Sequence, residues 1–319
     1  MTARRRQLFW YSLVLGLLGA GWGITQPLTK IAVSTGYEPW GLILWQLIIG
    51  AVFMAMISLL RGKGLPLTRG ALRISLVMAV IGTLVPNTAS YTAIVHLPSG
   101  IMSILLSLIP MIAFPIALGL RLEPFRVARL AGLSLGLIGV LFLVVPDTSL
   151  PDRSMLIWIP IALIAPVCYA FEGNYVAKWG TGGLDPIQVL FGASLLGTVL
   201  VLPMAIGSGQ FISPLRSYGA AELALVASSI IHVVVYASYV WLVGKAGPVF
   251  SMQVSYLVTG FGVFWAMVLL AENYSSYVWV AMGFMLAGVF LVQPRSGDAL
   301  AQPDKAGQDK TQEFQQAGL

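Results

Sequence analysis

The residues able to do chemistry in this chain are few, and most lie inside long apolar stretches. Glu172 is the clearest acid, placed within the apolar run 154–177. A carboxyl at that depth can receive a substrate ammonium or a proton; its bland alternatives are a buried cation partner or the headgroup region. His232 lies mid-way along another run, with Tyr236 and Tyr239 at i+4 and i+7 on the same helical face. Its imidazole could bond a carboxylate or titrate near neutral pH, or simply hold a neighbouring helix carbonyl. Asn87 and Tyr91 share a face just after Pro86, whose missing N–H predicts a kink and a polar patch. Trp22, Gln26 and Lys30 form a further stripe, with Lys30 expected to snorkel toward the headgroups.

Hydroxyls recur at helical spacing: Ser99, Ser103 and Ser107, then Ser251, Ser255 and Thr259. Small residues let membrane helices approach closely, which is the preferred reading; facing a cavity, the same stripes would offer hydroxyls to a zwitterion. Tyr169, Tyr175, Tyr239, Tyr256 and Trp265 fall within the apolar runs, where rings can stack on an apolar or aromatic molecule. The candidate substrate contacts are therefore Trp22, Gln26, Asn87, Tyr91, Ser107, Tyr169, Glu172, His232, Tyr239 and Tyr256.

Other chemistry is not supported. One cysteine, Cys168, permits no intrachain disulfide and no thiolate cluster, and His96 and His232 have no metal-ligand spacing. Gly180-Thr181-Gly182-Gly183 lacks the Lys-Ser/Thr of a phosphate loop. No nucleophile–base pair or paired carboxylates lie at depth, so neither an enzyme nor a cofactor is expected. The net charge of +6 resides in short loops and the termini, which does not make the basic face that nucleic acid needs.

The elements that must position these groups follow from composition. Of 319 residues, 58% are apolar and 9% charged, and mean hydropathy is +0.87; a soluble domain has about 25% charged residues. Only a lipid surroundings reconciles these numbers, because there the outside of the fold is apolar. With about 20 apolar residues needed per crossing, the sequence predicts an all-α integral membrane protein with ten transmembrane helices. They fall near 8–30, 39–60, 71–94, 98–120, 127–146, 154–177, 186–206, 220–243, 248–271 and 274–293. The first run, after Arg4–Arg6, is read as an uncleaved helix rather than a signal peptide. With both termini cytoplasmic, 15 of the 18 cations fall inside, and only Lys30, Arg153 and Arg216 outside. Residues 294–319 are polar and aperiodic and are expected to be a disordered cytoplasmic tail.

The chain also repeats itself. Lys30 and Lys178, Pro39 and Pro186, Ala89-Ser90-Tyr91 and Ala237-Ser238-Tyr239, Pro98 and Pro248, Glu123 and Glu272, Gly139 and Gly288 recur at offsets of 147–150. Five spans per unit is an odd number, so the units 8–146 and 154–293 are inverted relative to each other. Inverted repeats are the architecture of many secondary transporters.

This pattern resembles the drug/metabolite transporter superfamily, specifically its EamA-type exporters. The resemblance rests on Trp22-Gly23 with Lys30, Pro98, Leu122-Glu123 and the Gly-rich run Gly132–Gly139; the second half departs from it at Ala170-Phe171 and Ala271-Glu272. The many aromatics within spans are similar to those of bacterial aromatic amino-acid exporters. The resemblance implies a bacterial inner-membrane protein exporting small molecules, aromatic and other neutral amino acids first, by alternating access. Drugs, toxic metabolites or a lipid-linked carrier are the alternative cargoes. The Gly-rich faces serve packing within or between chains, which leaves the oligomeric state open.

Overall fold

The computed structural model describes residues 3–215 and 217–292, and these are helical with no strand among them. Thirteen α-helices follow one another: α1 (Ala3–Val33), α2 (Pro39–Leu60), α3 (Arg69–Ala79), α4 (Val85–Ile94), α5 (Ser99–Leu106), α6 (Ile109–Gly119), α7 (Val127–Val144), α8 (Ile159–Trp179), α9 (Pro186–Gly207), α10 (Ala220–Ala246), α11 (Pro248–Ser251), α12 (Val254–Leu270) and α13 (Ser276–Val292). Arg216 and the segment 294–319, expected from sequence to be an outside cation and a disordered tail, lie outside the described residues.

Seven helical runs are long and apolar enough to cross a membrane: 39–60, 69–94, 99–119, 127–144, 153–179, 186–207 and 220–246. The last two apolar helices, Val254–Leu270 and Ser276–Val292, are shorter. Three of the predicted spans are broken. Between α3 and α4 the chain makes a π-helical turn, Val80–Leu84, whose exit is marked by Pro86 in the first turn of α4. Proline has no N–H and cannot return a bond to the carbonyl one turn back, and the helix expected to kink there changes its hydrogen-bond register earlier, at the π turn. The second break separates α5 from α6 at Ser107–Leu108, and the third separates α11 from α12 at Met252–Gln253.

Helix starts follow their caps. Asp185 accepts from the amides of Ile187 and Gln188 while Gln188 reaches back to the Asp185 amide, a complete capping box, with Pro186 at the first position. Thr68 caps α3 through the amide of Ala71 at 3.1 Å. The glycine-rich segment after α8 is a turn: Gly180, Gly182 and Gly183 all have positive φ, and Gly182 lies against Gly70, where a Cβ would come 2.8 Å from the Gly70 oxygen.

Packing pairs elements from opposite halves. α1 lies against α10 and α12, and α8 lies against α4 and α6; α2 pairs with α9, α5 with α12, α7 with α13, α3 with α9 and α2 with α10. Exchanging α1 with α8, α2 with α9, α3–α4 with α10, α5–α6 with α12 and α7 with α13 maps this pattern onto itself. Small residues make the close approaches. A Cβ at Gly23 would sit 2.8 Å from the Gly262 amide, and one at Gly132 would sit 2.7 Å from the Gly288 carbonyl.

The loops at the two ends are tied differently. At one end, Lys30 Nζ donates to the carbonyls of Ile94, Val95 and Leu97, at 2.5, 3.0 and 3.0 Å. The snorkelling expected of Lys30 is thus replaced by a cap on α4, whose last carbonyls lack helical partners. Beside it, Glu272 accepts from the amides of Ser99 and Gly100 at the start of α5, at 2.8 and 3.2 Å, and from the Tyr274 hydroxyl. At the opposite end, Glu123 pairs instead with Arg129, Lys178 caps Leu120 O at 3.0 Å, and Arg61 binds Asp185 through both guanidinium nitrogens, at 2.7 and 3.2 Å.

Two consequences can be measured. Gly132→Val should lower the melting temperature of the purified protein by the equivalent of about 1–3 kcal/mol, the usual cost of overpacking, while Gly283→Ala, with open space around it, should not; equal shifts would contradict the α7–α13 packing. Burial alone would raise the Asp185 carboxyl, but the Arg61 guanidinium and the amides of Gln188 and Ile187 outweigh it and hold its pKa below the ordinary value. A depressed pKa stabilises above the unfolded value and the gain is lost as pH falls through the folded one. Melting temperature should therefore drop below about pH 4, Asp185→Asn should flatten that limb, and Asp185→Ala should also lose about 1 kcal/mol of capping at neutral pH.

Candidate functional site

A cavity of about 490 Å³ opens where the two halves meet, lined by α1, α2, α3, the π turn, α4, the α5–α6 break, α8, α9, α10 and α12. Its lining combines the interrupted or polar parts of these elements with apolar side chains such as Leu47, Met78, Leu190 and Val258. α1 contributes Trp22, Thr25, Gln26 and Thr29. Thr25 and Thr29 return their hydroxyls to the α1 backbone, at Trp22 O (2.6 Å) and Thr25 O (2.8 Å), so they present methyl groups and satisfied oxygens to the space.

One wall is an amide–phenol cluster. Gln46 on α2 accepts through Oε1 from Asn87 Nδ2 at 3.1 Å and from the Tyr91 hydroxyl at 3.0 Å. Tyr169 on α8 donates its hydroxyl to Asn87 Oδ1 at 3.2 Å. Three helices are joined by these bonds, and the buried polar groups satisfy one another, as low-dielectric surroundings require. Tyr91 is the most enclosed, 6% exposed.

Another part of the lining is aromatic. The Trp22 ring lies 5.3 Å from that of Tyr239 and 6.4 Å from the His232 imidazole, tilted by 55° and 53°. These separations leave the rings in contact without a face-to-face stack. His232 makes no hydrogen bond among the described residues, and Ser228 and Tyr236 line the same face of α10.

Glu172, on α8, stands against the π turn. The side chain it meets there is missing: a Cβ built at Gly82 would lie 2.8 Å from Glu172 Oε1 and 2.9 Å from Cδ. The glycine therefore makes room for the carboxyl, in the part of the chain where helical register changes. π turns of this kind gather at functional sites. The carboxyl has neither a hydrogen-bond donor nor a cation partner among the described residues, and no Lys or Arg lines the cavity.

Nine of the ten residues singled out from sequence line this space: Trp22, Gln26, Asn87, Tyr91, Ser107, Tyr169, Glu172, His232 and Tyr239. Tyr256 does not. On α12 the cavity face is Val254, Ser255, Val258 and Thr259, and one residue past Ser255 the helix has turned about 100° away. Tyr256 packs on the main apolar cluster, its hydroxyl buried and without a hydrogen-bond partner among the described residues. The serine stripes divide. Ser107 reaches the cavity with its hydroxyl returned to Ile104 O at 2.6 Å, whereas Ser99 binds Glu272 and Ser103 packs on Gly262.

Two elements of the site escape the sequence reading. Gln46 is its hub, and the signal was present: an amide within the apolar run 39–60 meets the same rule of intramembrane polarity that picked out Glu172. Gly82 carries no such signal, because its role is the space it leaves.

The model of the EamA-like transporter family matches residues 9–145 and again 156–293. No curated protein matches the chain. Among solved structures, one crystal structure of a protein aligns with a TM-score of 0.60 at 17% sequence identity, covering 88% of this chain and 95% of that one; at that identity the likeness shows the fold alone. Two successive matches to a single transporter model, over the helices that build the cavity, settle what kind of molecule this is: a multi-pass membrane protein that belongs to the EamA-like transporter family.

Proposed function

We propose that the chain exports small metabolites from the bacterial cytoplasm across the inner membrane, with aromatic and other neutral amino acids as substrates. Ten spans, arranged as inverted five-helix repeats over 8–146 and 154–293, would alternate access to the central cavity. The observation that carries this reading is the cavity itself. It is built by both halves, and its lining combines an aromatic group of Trp22, Tyr239 and His232 with a polar cluster of Gln46, Asn87, Tyr91 and Tyr169. A ring fits against the first and polar groups against the second.

Two further observations support the architecture. Packing that is unchanged when the halves are exchanged is what two interconvertible arrangements of similar units require. The end of the bundle that carries Asp185 also carries Arg61, Lys63, Arg69, Arg73, Arg121, Arg126, Lys178 and Lys245, against Lys30 and Arg153 at the other. That asymmetry favours the Asp185 end, and both termini, in the cytoplasm. A lipid-linked carrier would need cations for its phosphates, and the cavity lining has none.

The test is uptake of labelled phenylalanine into proteoliposomes preloaded with unlabelled phenylalanine. Saturable counterflow competed by tryptophan is expected, lost in His232→Ala and Tyr91→Ala. Trp22→Ala should raise KM about tenfold, since an aromatic contact is worth about 0.5–1.5 kcal/mol and about 1.4 kcal/mol is a factor of ten. Absence of flux from folded protein, checked by its melting transition, would remove phenylalanine as a substrate.

A further inference from the structure

Charge inside this cavity is unbalanced, and the imbalance bears on what it selects. Its lining contains one acid, Glu172, and no Lys or Arg. Cys168 and Tyr169 on its own helix and Tyr236 on α10 stand within reach of its charge, and Tyr91 on α4 and His232 on α10 line the same cavity. The π turn, α5, α6 and the body of α9 carry no titratable side chain. Arg73 on α3 is engaged by Tyr175 at 3.1 Å, one turn of α8 beyond Glu172. The imidazole of His232 lies against Trp22 and forms no ion pair with the acid.

We propose that Glu172, held in the notch left by Gly82, receives the protonated amine of the substrate, and that amine and aromatic ring, rather than carboxylate, are what the cavity recognises. Aromatic monoamines are then carried along with aromatic amino acids. The inference rests on the reading of this cavity as the substrate site and narrows the class of molecule it takes.

The physical reason is the cost of burying charge. A lone carboxylate away from water is expensive, and a cation brought by the ligand offsets that cost. A monocation leaves the filled cavity neutral, whereas a zwitterion leaves it with a net negative charge. The substrate carboxylate meets only neutral donors. In the polar cluster Gln46 Oε1 and Asn87 Oδ1 already accept bonds, which leaves the Gln46 amide N–H groups and the Trp22 indole N–H, on two residues of the lining, as neutral donors. Hydrogen bonds of this kind accommodate a carboxylate without requiring one. Specificity is a difference between affinities, and here that difference lies at the amine.

The experiment uses the full-length protein in the same phenylalanine counterflow, with two competitors that each lack one group: phenethylamine, without the carboxylate, and 3-phenylpropanoate, without the amine. Phenethylamine is expected to compete at least as well as phenylalanine, and 3-phenylpropanoate to need at least tenfold more. Labelled phenethylamine should itself show counterflow. Glu172→Gln should erase the preference for amine over acid. Gly82→Ala should reproduce much of that loss by displacing the carboxyl without removing it, while Gly16→Ala, with open space around it, should change nothing. Equal competition by the two analogues, or an amine preference that survives Glu172→Gln, would overturn the proposal. If Glu172→Gln does not fold, the ordering of competitors on the unaltered protein and on Gly82→Ala decides it. Phenethylamine counterflow without phenylalanine flux would sink the amino-acid reading and leave this one standing; phenylalanine flux that excludes phenethylamine would do the reverse. Should neither be transported, calorimetric titration of the folded protein with phenethylamine decides: binding lost in Glu172→Gln supports the inference, and no binding overturns it.

Discussion

A polar group carried into a bilayer on an apolar helix must be received by something, because lipid offers no hydrogen bonds. The arrangement of this protein follows from that constraint. Gln46, Asn87, Tyr91 and Tyr169 come from three helices that lie apart in sequence, and they converge because each supplies what another lacks. Glu172 has no such partner among the described residues and is instead given room, by a glycine in a π turn. The breaks at Val80–Leu84 and Ser107–Leu108 border the cavity, through Gly82, Thr83 and Ser107. An irregular backbone facing hydrocarbon would leave its amides and carbonyls unsatisfied. The cavity therefore permits the breaks, and the breaks help to shape the cavity.

The two halves share a packing pattern but not their end contacts. Glu272 caps the first turn of α5 and Lys30 the last turn of α4, which knots one end of the bundle around consecutive helices. The repeat-related Glu123 binds Arg129 on its neighbouring helix. Related sequences have thus been given different partners, and the two ends of the molecule are held by unlike sets of bonds. Left-handed residues reinforce the likeness beneath this difference: Arg121 and Ala271, both with positive φ, stand just before the two acids.

Much of this was legible beforehand because it depends on counts and periods. Apolar runs of the right length sit where the helices are, and the boundaries 39–60 are matched residue for residue by α2. Polar groups at depth are rare enough that the rule of intramembrane expense gathers most of the cavity lining. Tyr256 is instructive in the opposite sense. Its residue type suits the site, but helical phase turns it into the core, and phase could not be assigned without knowing which face of α12 meets α1. Lys30 was misjudged for a related reason, since the carbonyls that capture it belong to a helix end more than sixty residues away.

The sequence by itself determined a helical membrane protein, its internal repetition and the short list of groups able to meet a substrate, because hydropathy, period and rarity are properties of the chain alone. Only the tertiary structure decided which of these groups share a space and what each faces. Gln46 became a hub through partners 41 and 45 residues distant, and Gly82 became a seat for Glu172 through an absence of atoms that no residue type announces. Such pairings depend on how helices cross, and crossing is set by the packing of whole surfaces, not by any local stretch of sequence.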